Sequence, residues 1–203
     1  LAAIDMGSNS FHLAVARLDH GELKLVEGLS EKVRLGGLDD KDRLTEEAQA
    51  RALACLSRFA QHLAGITPDR LRVVGTNALR EARNRGEFIR RAEAILGHPV
   101  EVISGREEAR LIYLGVAHDK PPKKGKRLVI DIGGGSTEFV IGRGFEIIER
   151  ESLQIGCIAN LHRFFPDGKW NARQWQKAKT QIGVDMQPFV RAYRAQGWKE
   201  VYG

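Results

Sequence analysis

Ala3-Ile4-Asp5-Met6-Gly7-Ser8-Asn9-Ser10, near the start of the chain, returns past its middle as Val129-Ile130-Asp131-Ile132-Gly133-Gly134-Gly135-Ser136. Each copy is a short apolar run, an Asp, and a loop of Gly and polar residues. Each is followed by a second strand-like run, at 11–18 and at 137–141. The pattern predicts a β-turn-β unit with a polar loop at its tip. Glycine lets successive main-chain N–H groups turn toward one concave point where an anion can sit. Two such loops, one from each half of the chain, would grip a phosphate from both sides. Asp5 and Asp131 lie 126 positions apart, too long a period for a solenoid repeat and suited to two lobes of a duplicated fold with the functional cleft between them.

The 203 residues, 42% hydrophobic, are enough for a sizeable core in one or two domains. No apolar run reaches the ~18 residues of a membrane span, and the expectation is a cytoplasmic protein. Cys55 and Cys157 are the two cysteines; they predict no disulfide framework and read as small core residues. The formal charge of +6 favours polyanionic partners: nucleic acid, a membrane surface or phosphorylated small molecules. Charge does not choose among them.

From the first loop outward, strands are expected at 11–18, 23–26 and 32–35, forming an antiparallel meander. A loop at 36–42 leads to a helix from about Thr45, with Ala52, Leu56, Phe59 and Leu63 at helical spacing. Strands at 71–74 and 100–103 and helical segments at 77–85 and 87–96 give an α/β alternation. The stretch 118–126, with Pro121-Pro122 and several lysines, has no apolar periodicity and is expected to link a first lobe (1–117) to a second (127–203). In the second lobe a hairpin at 145–151 and helices at 155–165 and 172–195 are expected. The run 201–203 resembles another strand beginning, so this lobe is expected to be incomplete.

The paired loops favour phosphate binding over plain hairpin chemistry, because the same residues recur in the same order after the same kind of strand. Carboxylates beside a phosphate are costly unless a cation intervenes, and Asp131 and Glu138 are placed to hold Mg²⁺, mostly through water. Asp131 could instead accept hydrogen bonds from its own loop. Ser104 and Glu107 fit a capping box that opens the next helix. Glu108 then shares a side of that helix with Leu111 and Ile112; it is a candidate general base, or equally a carboxylate interacting with the helix dipole. Arg80, after a buried strand, has the fork geometry suited to phosphate oxygens, while Arg83 and Arg85 read as surface residues. His12 reads as packed or loop-bracing, and Trp170, Trp175 and Trp198 as packing residues of the second lobe.

The run 3–12, the segment Thr76-Asn77-Ala78-Leu79-Arg80 with Glu81-Ala82-Arg83-Asn84, the segment Ile103-Ser104-Gly105-Arg106-Glu107-Glu108-Ala109-Arg110, and Asp131-Ile132-Gly133-Gly134-Gly135-Ser136-Thr137-Glu138 together resemble the exopolyphosphatase and guanosine pentaphosphate phosphohydrolase family. The resemblance spans essentially the whole chain and corresponds to the N-terminal portion of such enzymes. It implies an α/β, actin-like (ribonuclease-H-like) two-lobed fold, Mg²⁺ dependence, release of terminal phosphate from a polyanion, and a homodimer at full length. It also implies roles: Glu108 as catalytic base; Ser8, Asn9, Ser10, Arg80, Gly133, Gly134, Gly135 and Ser136 as phosphate contacts; Asp131 and Glu138 as metal-associated carboxylates. Gly135 and the run Val74-Gly75-Thr76 resemble the exopolyphosphatase branch, which makes inorganic polyphosphate the expected substrate and guanosine pentaphosphate the alternative. An actin-like ATPase or sugar kinase, or a phosphate sensor without turnover, are the readings from other classes. A nucleic-acid partner ranks last, and peripheral membrane contact stays open.

Overall fold

The computed structural model describes residues 1–120 and 124–203 and divides into two compact units, Leu1–Ile103 and Ser104–Gly203. In the first unit, β1 (Ala2–Met6), β2 (Ser10–Asp19) and β3 (Glu22–Lys32) form an antiparallel meander, and β4 (Leu71–Gly75) and β5 (Glu101–Val102) join it in parallel, in the order β3-β2-β1-β4-β5. In the second, β6 (Arg127–Ile132), β7 (Thr137–Arg143) and β8 (Glu146–Leu153) repeat the meander, and β9 (Glu200–Tyr202) adds in parallel to β6, in the order β8-β7-β6-β9. This is the ribonuclease-H-like strand order of the actin-like fold, with all five strands in the first unit and the first four among the described residues of the second.

The duplication extends to irregularities. The β2–β3 register shifts between Val15 and Ala16, and the β7–β8 register between Ile141 and Gly142, 126 positions later in both cases. A bulge re-aims the strand that carries it, and its recurrence at the equivalent position marks two copies of one supersecondary unit.

In the first unit, α1 (Glu46–Gln61), α2 (Asn77–Glu81) and α3 (Arg85–Leu96) accompany the sheet, and α1 is capped by the Thr45 side chain, which accepts from Ala48 N at 3.2 Å. The alternation along β1 and β2 sends Ile4, Met6, Phe11 and Leu13 into a core with Ala52, Leu56 and Phe59 of α1, while Ala3, His12 and Ala14 on the other face are exposed. His12 is therefore no packed core residue.

In the second unit, α4 (Gly105–Asp119) covers one face of the sheet, with Ala109, Tyr113 and Ala117 on Val129 and Val140. Helix α6 (Ala172–Gln196) covers the other, with Phe189 and Tyr193 on Leu128, Phe139 and Ile141. Helix α5 (Cys157–Phe164) lies between β8 and α6 in sequence. Because the apolar stripe of α4 belongs to this core, the units divide after Ile103 and not at 118–126; Pro121, Pro122 and Lys123 of that expected linker lie outside the described residues.

Three other expectations are corrected. Residues 32–35 form no separate strand: β3 ends at Lys32, and Val33 and Leu35 are buried as the chain turns toward the first loop. Cys157 is exposed. Trp170 and Trp175 are 77% and 54% exposed; flanking the N-cap Asn171 of α6, their rings stand 6.5 Å apart as a hydrophobic staple and not as core. No helix among the described residues is long and apolar enough to cross a membrane.

Candidate functional site

The first loop closes on itself through Gly7 N donating to Ser10 O at 3.1 Å, and the second does the same through Gly133 N to Ser136 O at 2.9 Å. Both loops follow strand C-termini, the end of an α/β sheet where ligands commonly bind. In the first unit, Ser8 is buried; its hydroxyl accepts from Ala78 N at 3.1 Å and so holds the start of α2 against the loop. Asn9 is half-buried, with Nδ2 donating to Ser10 Oγ at 3.5 Å and Oδ1 buried with no hydrogen-bond partner among the described residues. Met6 pairs with Gly75, so α2 begins beside the loop. Arg80, on α2, is partly buried, and its Nη1 donates to Ile103 O at 3.1 Å. The structure thus gathers Ser8, Asn9, Ser10 and Arg80 at one end of the first sheet.

In the second unit, Asp131 and Glu138 are directly opposed across β6 and β7. Asp131 is exposed, whereas Glu138 is 1% exposed. Ser152, opposite Glu138 on β8, donates to Glu138 Oε1 at 2.8 Å, and Oε2 is buried without a hydrogen-bond partner among the described residues. Burial pushes the Glu138 carboxyl up to about 7, and the negative charges of Glu108 and Asp131 push the same way against hydrogen bonds from Ser136 and Ser152. That coupling places Glu108, Asp131 and Glu138 in one electrostatic cluster beside the Gly133–Ser136 loop.

Glu108 sits in the first turn of α4, half-buried. Ser104 caps this helix, accepting from Glu107 N at 3.2 Å, and the Glu107 carboxylate takes Arg110 in two hydrogen bonds at 2.7 and 2.8 Å. The first carboxylate of the pair is thus engaged in local structure, and the second belongs to the acidic cluster.

Among the described residues, no group of three or more His, Cys, Asp and Glu side chains is arranged to hold a metal ion by itself. The oxygen-only donors Asp131 and Glu138 nevertheless suit a hard cation that keeps several waters. The unpartnered Glu138 oxygen and the repulsion raising this carboxyl are the conditions a cation would relieve.

The sequence reading missed Ser152, whose signal was its register opposite Glu138. It also missed the segments that close on the loops. Gly36 N donates to Ser8 O at 2.8 Å, and Val33 N and Arg34 N donate to Asn9 O at 3.0 and 2.8 Å. In the second unit, Gly156 N donates to Gly135 O and Cys157 N to Gly133 O, both at 2.9 Å, and Ile158 N and Ala159 N donate to Gly134 O at 2.9 and 3.1 Å. The available signal was Leu35-Gly36 and Ile155-Gly156, an apolar residue and Gly after each hairpin.

Residues 14–203 match the family described as the Ppx/GppA phosphatase family. The chain is 43% identical over 204 aligned positions to a Haemophilus influenzae protein provisionally named an exopolyphosphatase, covering all of this chain and 63% of that protein. It is 45% identical to the guanosine-5'-triphosphate,3'-diphosphate pyrophosphatase of Vibrio vulnificus, covering all of this chain and 41% of that one. The crystal structure of an exopolyphosphatase from Cytophaga hutchinsonii superposes with a TM-score of 0.90 at 31% identity, over 98% of this chain and 64% of that one. The chain therefore spans less than two thirds of the length of each of these relatives. With duplicated phosphate-type loops, a carboxylate cluster beside one of them and matches of this extent, the chain belongs to the Ppx/GppA phosphatase family.

Proposed function

We propose that this chain supplies the phosphate-gripping and water-activating machinery of a hydrolase that releases terminal orthophosphate from inorganic polyphosphate. The observation that carries the reading is the acidic cluster of Glu108, Asp131 and Glu138 beside a loop of turned backbone amides. Glu108 accepts a proton from water as the water oxygen bonds to the terminal phosphorus. The bridging P–O bond breaks, and its electron pair leaves with the shortened polyphosphate. The N–H groups of the Gly133–Ser136 loop stabilise charge on the phosphoryl oxygens, and Arg80, beside the first loop, is proposed as a phosphate contact of its own unit. Asp131 and Glu138 would hold Mg²⁺, which supplies charge neutralisation at those oxygens when bound.

Guanosine pentaphosphate is the second reading, favoured by the 45% identity to relatives named for guanosine-5'-triphosphate,3'-diphosphate. Both substrates present a terminal phosphoanhydride to the same machinery. Parallel assays of phosphate release from long-chain polyphosphate and from guanosine pentaphosphate separate the two: faster release from the nucleotide overturns the first. Turnover of ATP above both would favour the kinase-like reading, and phosphate binding without any turnover the sensor. Homodimerisation remains part of the proposal and is read by analytical sedimentation.

A further inference from the structure

We infer that the segments following the two hairpins, through Gly36 in the first unit and Gly156 and Cys157 in the second, are positioning elements that aim the loop amides at the anion; the inference rests on the reading that the loops bind substrate phosphate. In a trans peptide plane the C=O of one residue and the N–H of the next point in opposite directions. Fixing the carbonyls of Gly133, Gly134 and Gly135 on the backbone of residues 156–159 therefore turns the N–H groups of Gly134, Gly135 and Ser136 to the other side. In the first unit, fixing the carbonyls of Ser8 and Asn9 on Val33, Arg34 and Gly36 does the same for the N–H groups of Asn9 and Ser10.

The approach is close enough to require glycine. A Cβ on Gly156 would lie 2.4 to 2.5 Å from backbone atoms of Gly134 and Gly135, and one on Gly36 would lie 2.8 Å from Ser8 Cβ. Arg34 holds a left-handed backbone, φ 55°, a conformation that costs a non-glycine residue energy and persists where the surroundings impose it. In both units the chain after the hairpin fixes the same two loop carbonyls, Ser8 and Asn9 in the first and their counterparts 126 positions later, Gly134 and Gly135, in the second, through donors arranged differently in each.

Cys157→Pro isolates the device. Residue 157 is the first of α5, where proline is favoured and the missing N–H is otherwise no loss to the helix. Gly156, at φ −67° and ψ 163°, already has the conformation required before proline. The substitution removes the donor to Gly133 O, and Cys157→Ala, which keeps it, is the reference. Native-state hydrogen exchange at the Gly133, Ile158 and Ala159 amides should be faster in Cys157→Pro by about fivefold or more, the scale of one lost hydrogen bond, and KM for polyphosphate should rise severalfold. Equal exchange at these amides in both variants overturns the inference. If Cys157→Pro lowers global stability instead, exchange accelerates throughout the unit rather than at these amides, which also overturns it. Absence of turnover in Cys157→Ala would contradict the hydrolase reading while leaving the exchange result to decide this one.

Discussion

Glu138 is a carboxyl that burial and two neighbouring carboxylates keep protonated up to about pH 7. Its folded value lies above the ordinary 4.5, so the folded state binds the extra proton between those limits, and stability falls as pH rises through that window. The gap between about 7 and 4.5 is worth about 3 kcal/mol at most above neutrality. Glu138→Gln should therefore raise the melting temperature at pH 8 in the absence of divalent cations and change it little at pH 4, as differential scanning calorimetry can read. Equal effects at both pH values would place the carboxyl in a less hostile site. The cysteines separate in the same way: burial pushes the Cys55 thiol up to about 12, whereas Cys157 is exposed. One equivalent of a thiol reagent should react with the native chain and a second only after unfolding. At this scale, the residues of the two loops themselves were legible because their types recur in order. Ser152 was not, because its role comes from the register of a neighbouring strand.

At the scale of elements, the hydrophobic period decided most of what could be read. Helix α1 and its cap at Thr45 follow from Ala52, Leu56 and Phe59 at helical spacing, and Thr45→Ala should cost about 1 kcal/mol in urea unfolding. A null effect there would mean that packing alone sets the start of α1. Residues 32–35 defeated the period: Val33 and Leu35 alternate like a strand, yet they are buried while the backbone leaves the ladder to bind the first loop. The α5–α6 connection failed differently, since large apolar residues signal burial in a pattern, whereas Trp170 and Trp175 close over each other, and Trp175 over Phe165, at an exposed helix start. The 118–126 stretch was read from composition, which says where a chain is polar but not to which core the preceding helix belongs.

On the scale of the whole molecule, the duplicated meander makes two units with their own cores, each offering one loop and one set of polar side chains at the same end of its sheet. The formal charge of +6 suits capture of a polyanion, and affinity for polyphosphate should fall as salt rises through the physiological range, because screening shortens the reach of surface charge to about 8 Å at 0.15 M. Salt-independent binding would place the attraction in the loops alone. The relatives carry further chain beyond the matched portion. The central claim is tested by Mg²⁺-dependent phosphate release from long-chain polyphosphate, comparing the native sequence with Glu108→Gln. The account predicts a kcat lower by about 10²- to 10⁴-fold in the variant, the range for loss of a general base, with polyphosphate binding retained; turnover equal in both would contradict it.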